Sequence, residues 1–174
     1  MTDGVERGPT RTSTRVALAA GVGCVLALAT GSLASLVLGV PALGTLAVGM
    51  RRVDRRGIDA GAFGLFAAAL LAAVTGAPTA STLIGAGLAI LAWDAGGNAL
   101  ELGRQVGRDA ATREAEIAHL SGTVGVAAGA GGLGYGFYTA GSGGRPVAAL
   151  VLLSFAAVLL ASALRLRPLA RGDN

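Results

Sequence analysis

Asp94, Asn98, Glu101, Gln105, Arg108 and Thr112 follow one another at alternating steps of four and three. At about 100° per residue, that spacing puts all six on one stripe of a helix. Carboxylates, amides and a guanidinium ranged along one stripe can form several charge-assisted hydrogen bonds with a protein partner, so Asp94, Asn98, Glu101, Gln105 and Arg108 read as a partner-docking surface. The competing reading is a solvated connecting helix, in which ion pairs such as Asp109 with Arg113 contribute about 0.3 kcal/mol each. The opposite side carries Ala95, Ala99, Leu102, Val106 and Ala110, so residues 94–118 are expected to form an amphipathic helix on the cytoplasmic surface of a membrane. A carboxylate at a helix C-terminus opposes the helix dipole, so Asp94 further suggests that the preceding apolar helix continues into this segment.

No other constellation has the spacing of a catalytic or metal site. One histidine, His119, and one cysteine, Cys24, cannot assemble a thiol or imidazole cluster, so neither a metal nor a cofactor is expected. Gly129, Gly131 and Gly134 satisfy G-x-G-x-x-G, but no strand precedes them and they fall inside an apolar run. Gly141-Ser142-Gly143 invites comparison with the serine motif of rhomboid proteases, yet Ala140 stands where that motif has glycine, and His119 is expected on the opposite membrane face. The Asp-rich motif of the phosphatidyl-alcohol transferases fails as well, because Ala95, Asn98 and Ala99 replace its Gly, Ala and Arg. The chain is therefore not expected to be an enzyme.

The elements that must carry the stripe are membrane helices. Of the 174 residues, 53% are hydrophobic and 14% charged, too little charge for the surface of a soluble domain of this size. All 14 basic residues are arginines, set in separate clusters beside apolar runs without interleaved aromatics, which excludes a nucleic-acid interface and reads as a topology signal. Uncharged runs cover 16–50, 60–93, 120–144 and 146–164. As single helices the first two would each extend about 50 Å against a hydrocarbon core of about 30 Å. Gly31-Ser32 and Gly76-Ala77-Pro78-Thr79 break them into hairpins.

Six spans result, at 16–30, 33–50, 60–75, 79–93, 120–140 and 147–164, in three hairpins. This count puts the arginine clusters at 7–15, 51–56, 104–113 and 165–171 on the cytoplasmic side and leaves Arg145 alone outside. Four spans would move Arg51, Arg52, Arg55 and Arg56 outside. The expected organisation is a cytoplasmic tail at 1–15, an all-α polytopic bundle at 16–164, and a cytoplasmic tail at 165–174, in the cell membrane. The run past Ala27-Leu28-Ala29 is long enough for a retained span instead of a cleaved signal peptide. Gly103 and Gly107, and then Gly125, Gly129, Gly132 and Gly136, have the small-residue spacing of helix-packing faces, within one chain or in a homo-oligomer. The last four place span five, weakly hydrophobic, in the middle of the bundle.

The run WDAGGNALELGRQVGRDAATREAEIAHL from Trp93 to Leu120, followed by GYGFY at Gly134 to Tyr138, resembles a family of uncharacterised haloarchaeal membrane proteins. Members of that family are often encoded near MoxR-type AAA ATPases and proteins with von Willebrand A-like domains. The resemblance implies an accessory role in a membrane-associated assembly, with an AAA-type ATPase system as partner. The expected function is therefore that of a structural or accessory membrane subunit, and the alternative is a small channel or permease with Asp94 and His119 near its mouth.

Overall fold

The computed structural model describes residues 8–31, 33–105 and 113–141. The chain divides into units of residues 1–135 and 136–174; in the second, the described residues 136–141 are helical. Five helices follow one another: α1 (Arg11–Ala29), α2 (Leu33–Arg52), α3 (Arg55–Val74), α4 (Thr79–Gln105) and α5 (Arg113–Gly141). Among the described residues there is no strand. α1 to α4 are each long and apolar enough to cross a membrane. The expected spans at 16–30, 33–50 and 60–75 correspond to α1, α2 and α3. Span six at 147–164, residues 1–7, the C-terminal tail at 165–174, Arg145 and Arg108 lie outside the described residues, while residues 11–15 of the expected N-terminal tail are already helical as the start of α1.

Two turns share one device at opposite ends of the bundle. After α3, Gly76 takes φ 83°, and the Ala77 and Gly76 amides donate to the Ala72 and Ala73 carbonyls at 2.9 and 3.3 Å. This is a Schellman closure, in which glycine enters the left-handed region without steric cost. After α2, Val53 occupies the equivalent position at φ 56°, and the Asp54 amide donates to the Gly49 carbonyl at 2.9 Å. A β-branched residue there costs about 1 kcal/mol or more. Asp54 then caps α3, its carboxylate accepting from the Arg56 and Gly57 amides at 3.1 Å each.

α1 and α3 each lie between α2 and α4, giving an up-down-up-down arrangement. The interior is small: Ala17, Ala20, Ala68, Ala69, Ala92 and Ala95 are buried around Leu28, Leu46 and Leu65. Large side chains point outward, with Leu33, Val37, Phe63 and Val74 each more than 70% exposed. Small residues inside and large ones outside is the pattern of helices packed in lipid, where close backbone approach drives association. The α2–α3 contact is built this way. A Cβ on Gly49 would stand 2.6 Å from the Gly57 carbonyl carbon, one on Gly64 would stand 2.7 Å from the Ala42 Cβ, and one on Gly61 would collide with the Leu46 backbone. Pro41 lies within α2 without ending it.

α4 continues past Trp93, as Asp94 suggests, and no break separates it from the stripe. It has 27 residues, about 40 Å, and passes through Trp93 and Asp94 without interruption. Residues 94–105 therefore belong to the membrane helix, while 113–118 open α5, so no separate helix over 94–118 is present among the described residues. Three ionisable residues, Asp94, Glu101 and Arg104, consequently share a helix with span four. Among the described residues of α5 only Glu116 and Leu120 are buried, and Gly125, Gly129 and Gly132 have no described neighbour where a Cβ would be.

Replacing Gly61 by Leu is expected to lower unfolding stability in detergent by about 3 kcal/mol or to prevent folding, whereas Gly44→Leu, on the outward face of α2, leaves it near wild type. Val53→Gly is expected to raise stability by about 0.5 to 1 kcal/mol in the same thermal unfolding measurement.

Candidate functional site

The described charged residues collect at one end of the bundle, where α1 and α5 begin, α2 turns into α3, and α4 finishes. The opposite end, around Gly31 and Ala77, carries only hydroxyl groups among its described polar side chains. Among the described residues, three polar clusters occupy the charged end.

The most buried is centred on Glu116 of α5, 2% exposed. Its Oε2 accepts from the Thr10 hydroxyl at 2.8 Å, the Ser13 amide at 2.8 Å and the Ser13 hydroxyl. Thr10 is the N-cap of α1, yet its own side chain makes no capping bond within that helix. The carboxylate from α5 supplies the missing acceptor, at the positive end of the α1 dipole where a negative charge is favoured. The Thr10 amide also donates to the Ala99 carbonyl at 3.1 Å, and Asn98 reaches the Ser13 hydroxyl at 3.4 Å, so α1, α4 and α5 meet at this point.

The second cluster joins α4 to α5. Asp94 Oδ2 lies 2.9 Å from His119 Nε2 and accepts from the Thr123 hydroxyl at 2.7 Å. A nucleophilic triad places the histidine between the acid and the hydroxyl. Here the carboxylate stands between them, which orients two helices and does not activate Thr123. The third cluster joins α3 to α4: Asp59 accepts from Arg55 Nε at 2.9 Å and from the Trp93 indole at 2.7 Å.

Arg55, Asp94, Asn98, Glu101 and His119 line a common cavity of about 290 Å³. Three members of the expected docking stripe are thus gathered on one wall, although Asn98 turns in part toward α1. Gln105 is the last residue of α4, and Arg108 lies outside the described residues. Of the expected packing glycines, Gly103 is buried against the backbone of Gly8 and Pro9 instead of another helix, Gly107 is outside the described residues, and Gly136 sits in the last turns of α5. The glycines that do seat helices, Gly49, Gly57, Gly61 and Gly64, escaped the sequence reading. Their spacing of four, then three, along α3 was the available signal. No local signal could pair Glu116 with Ser13, 103 positions apart.

Glu116→Ala strands three buried donors at the start of α1. It is expected to cost about 3 kcal/mol in thermal unfolding and to accelerate hydrogen exchange at the Ser13 amide, while Glu116→Gln, which keeps one acceptor oxygen, is expected to lose less.

No curated protein and no solved structure matches the chain. A family of unknown function, DUF7519, matches residues 7–161, nearly the whole sequence and all five helices, and the chain belongs to that family.

Proposed function

We propose that this chain is a non-catalytic membrane subunit, structural or accessory to a larger assembly, that crosses the cell membrane six times with both termini in the cytoplasm. The observation that carries the reading is the segregation of charge. Arg11, Arg15, Arg51, Arg52, Arg55, Arg56 and Arg104 all come to one end together with the described acids, as cytoplasmic loops of membrane proteins require. α4 exceeds the hydrocarbon thickness by about 10 Å and so carries Glu101 and Gln105 beyond the bilayer on that side. This projecting part of the stripe, continued to Arg108, docks a cytoplasmic partner, for which the AAA-type ATPase implied by the resemblance is the named expectation.

A pore through the four-helix bundle has less support. Its interior is filled by alanine and leucine, and the described buried polar side chains, Thr10, Ser13, Ser35 and Glu116, include none that forms a polar path along the bundle axis. Asp94 and His119 are bonded to each other instead of facing a lumen.

Crosslinking in native membranes followed by affinity purification is expected to recover an ATPase with the intact chain and to lose it with Glu101→Ala plus Arg108→Ala at unchanged membrane insertion. Recovery of the chain with itself alone, together with solute flux after reconstitution into liposomes, would establish a channel instead. In a Cys24→Ser background, a cysteine at position 79 is expected to label from outside and one at 57 from inside. Outside labelling at 57 would overturn the orientation.

A further inference from the structure

Two cavities of opposite character meet at Trp93. One is the polar cavity of about 290 Å³ at the charged end. The other is an apolar groove of about 630 Å³ between α3 and α4, lined by Ala62, Phe63, Phe66, Ala89 and Ile90, with Asp59 and Trp93 at its polar end. Phe66 is seven residues past Asp59 on α3, so the groove descends about 10 Å from the charged surface toward the bilayer centre. Ile90 and Ala89 precede Trp93 on the antiparallel α4 and accompany it downward. An occupant of both cavities must be polar at one end and hydrocarbon at the other, with its polar end at the membrane surface. That is the shape of a lipid.

The polar cavity also specifies the headgroup. Arg55 uses Nε on Asp59, and its Nη1 rests over Gly97, where a Cβ would stand only 2.7 Å away. Gly97 thereby leaves room for a guanidinium edge inside the cavity. The same walls carry the carboxylates of Asp94 and Glu101, the amide of Asn98 and the imidazole of His119, which is bonded to one oxygen of Asp94. A headgroup that is only anionic would face Asp94 and Glu101, and one that is only cationic would face Arg55. A zwitterion satisfies both signs: its phosphate matches the planar fork of an arginine, and a primary ammonium can donate to carboxylates. A trimethylated ammonium has no N–H with which to do so.

We propose that the junction of these cavities binds a phospholipid whose headgroup carries a phosphate and a primary ammonium, the chemistry of phosphatidylethanolamine, with one acyl chain laid in the groove between α3 and α4. The site requires that the charged end lie at the membrane surface but does not require that any protein partner dock there. Its failure and the failure of docking are therefore read by separate experiments.

Trp93 is the chain's one tryptophan and stands where the cavities join, so its fluorescence reports the site directly. The full chain would be reconstituted in phosphatidylcholine vesicles containing, at equal mole fraction, acyl-brominated phosphatidylethanolamine, phosphatidylglycerol or phosphatidylcholine as quencher. The expected result is a relative association about tenfold stronger for the ethanolamine lipid than for the other two. Gly97→Ala, whose Cβ displaces the tip of an exposed, flexible arginine, and Arg55→Gln are both expected to bring the three lipids to parity while retaining wild-type thermal stability in detergent. Equal quenching of the wild type by all three lipids overturns the proposal, as does a preference for phosphatidylglycerol. An ethanolamine preference that survives both substitutions overturns it too, because the selectivity would then be set elsewhere. The wild-type comparison stands whether or not a variant is stable.

Discussion

Among lipid tails, burying a leucine between two helices gains little over leaving it against hydrocarbon, so association must come from contacts that lipid cannot imitate. Close backbone approach is one such contact, and the bundle is organised around it. Gly49, Gly57, Gly61 and Gly64 let α2 and α3 meet main chain to main chain, and the alanine-rich interior extends the same close packing to α1 and α4. The large apolar side chains are released to the outside, where they meet lipid. Once α2 and α3 are fixed this closely, the Val53 turn between them is held in a backbone conformation its residue type disfavours.

Polar contacts are the other kind of interaction that lipid cannot replace, and among the described residues those made by charged side chains lie at the charged end. Each of the three clusters ties together a different pair or trio of helices. Asp59 joins α3 to α4, Asp94 joins α4 to α5, and Glu116 joins α5 to the first turn of α1. The last is the most demanding, because a carboxylate removed from water needs several donors to compensate its lost hydration. Two hydroxyls and the amide at a helix N-terminus meet that need, and in doing so they complete a cap that Thr10 leaves open. Among its described residues α5 is buried at Glu116 and Leu120 alone, and an apolar cleft of about 420 Å³ opens between it and α4 around Leu88, Leu91 and Val124.

The division between a dry interior and a polar end bears on function. Side chains that could serve catalysis or permeation, His119, Asp94 and Thr123, are engaged with one another across a helix interface. Arg55, Trp93 and Glu101 line the polar cavity beside them at the same end of the bundle.

Much of this was legible in the sequence. The uncharged runs and the breakers at Gly31 and Gly76 located the apolar helices and the turns after α1 and α3, because a charge is costly in hydrocarbon and a helix needs a fixed length to cross it, although α1, α3 and α5 each begin several residues earlier, within the charged segments. Asp94 signalled that α4 would run on past Trp93. Tertiary structure alone decided which small residues touch. Gly129 and Gly61 look alike as letters, yet one has no described neighbour where a Cβ would be and the other meets the backbone of Leu46, because packing depends on how helices are rotated against each other and one hydropathy pattern allows many rotations. It also decided that Glu116 caps α1, since a hydrogen bond between residues 103 positions apart exists only after folding has brought two helix starts to the same place.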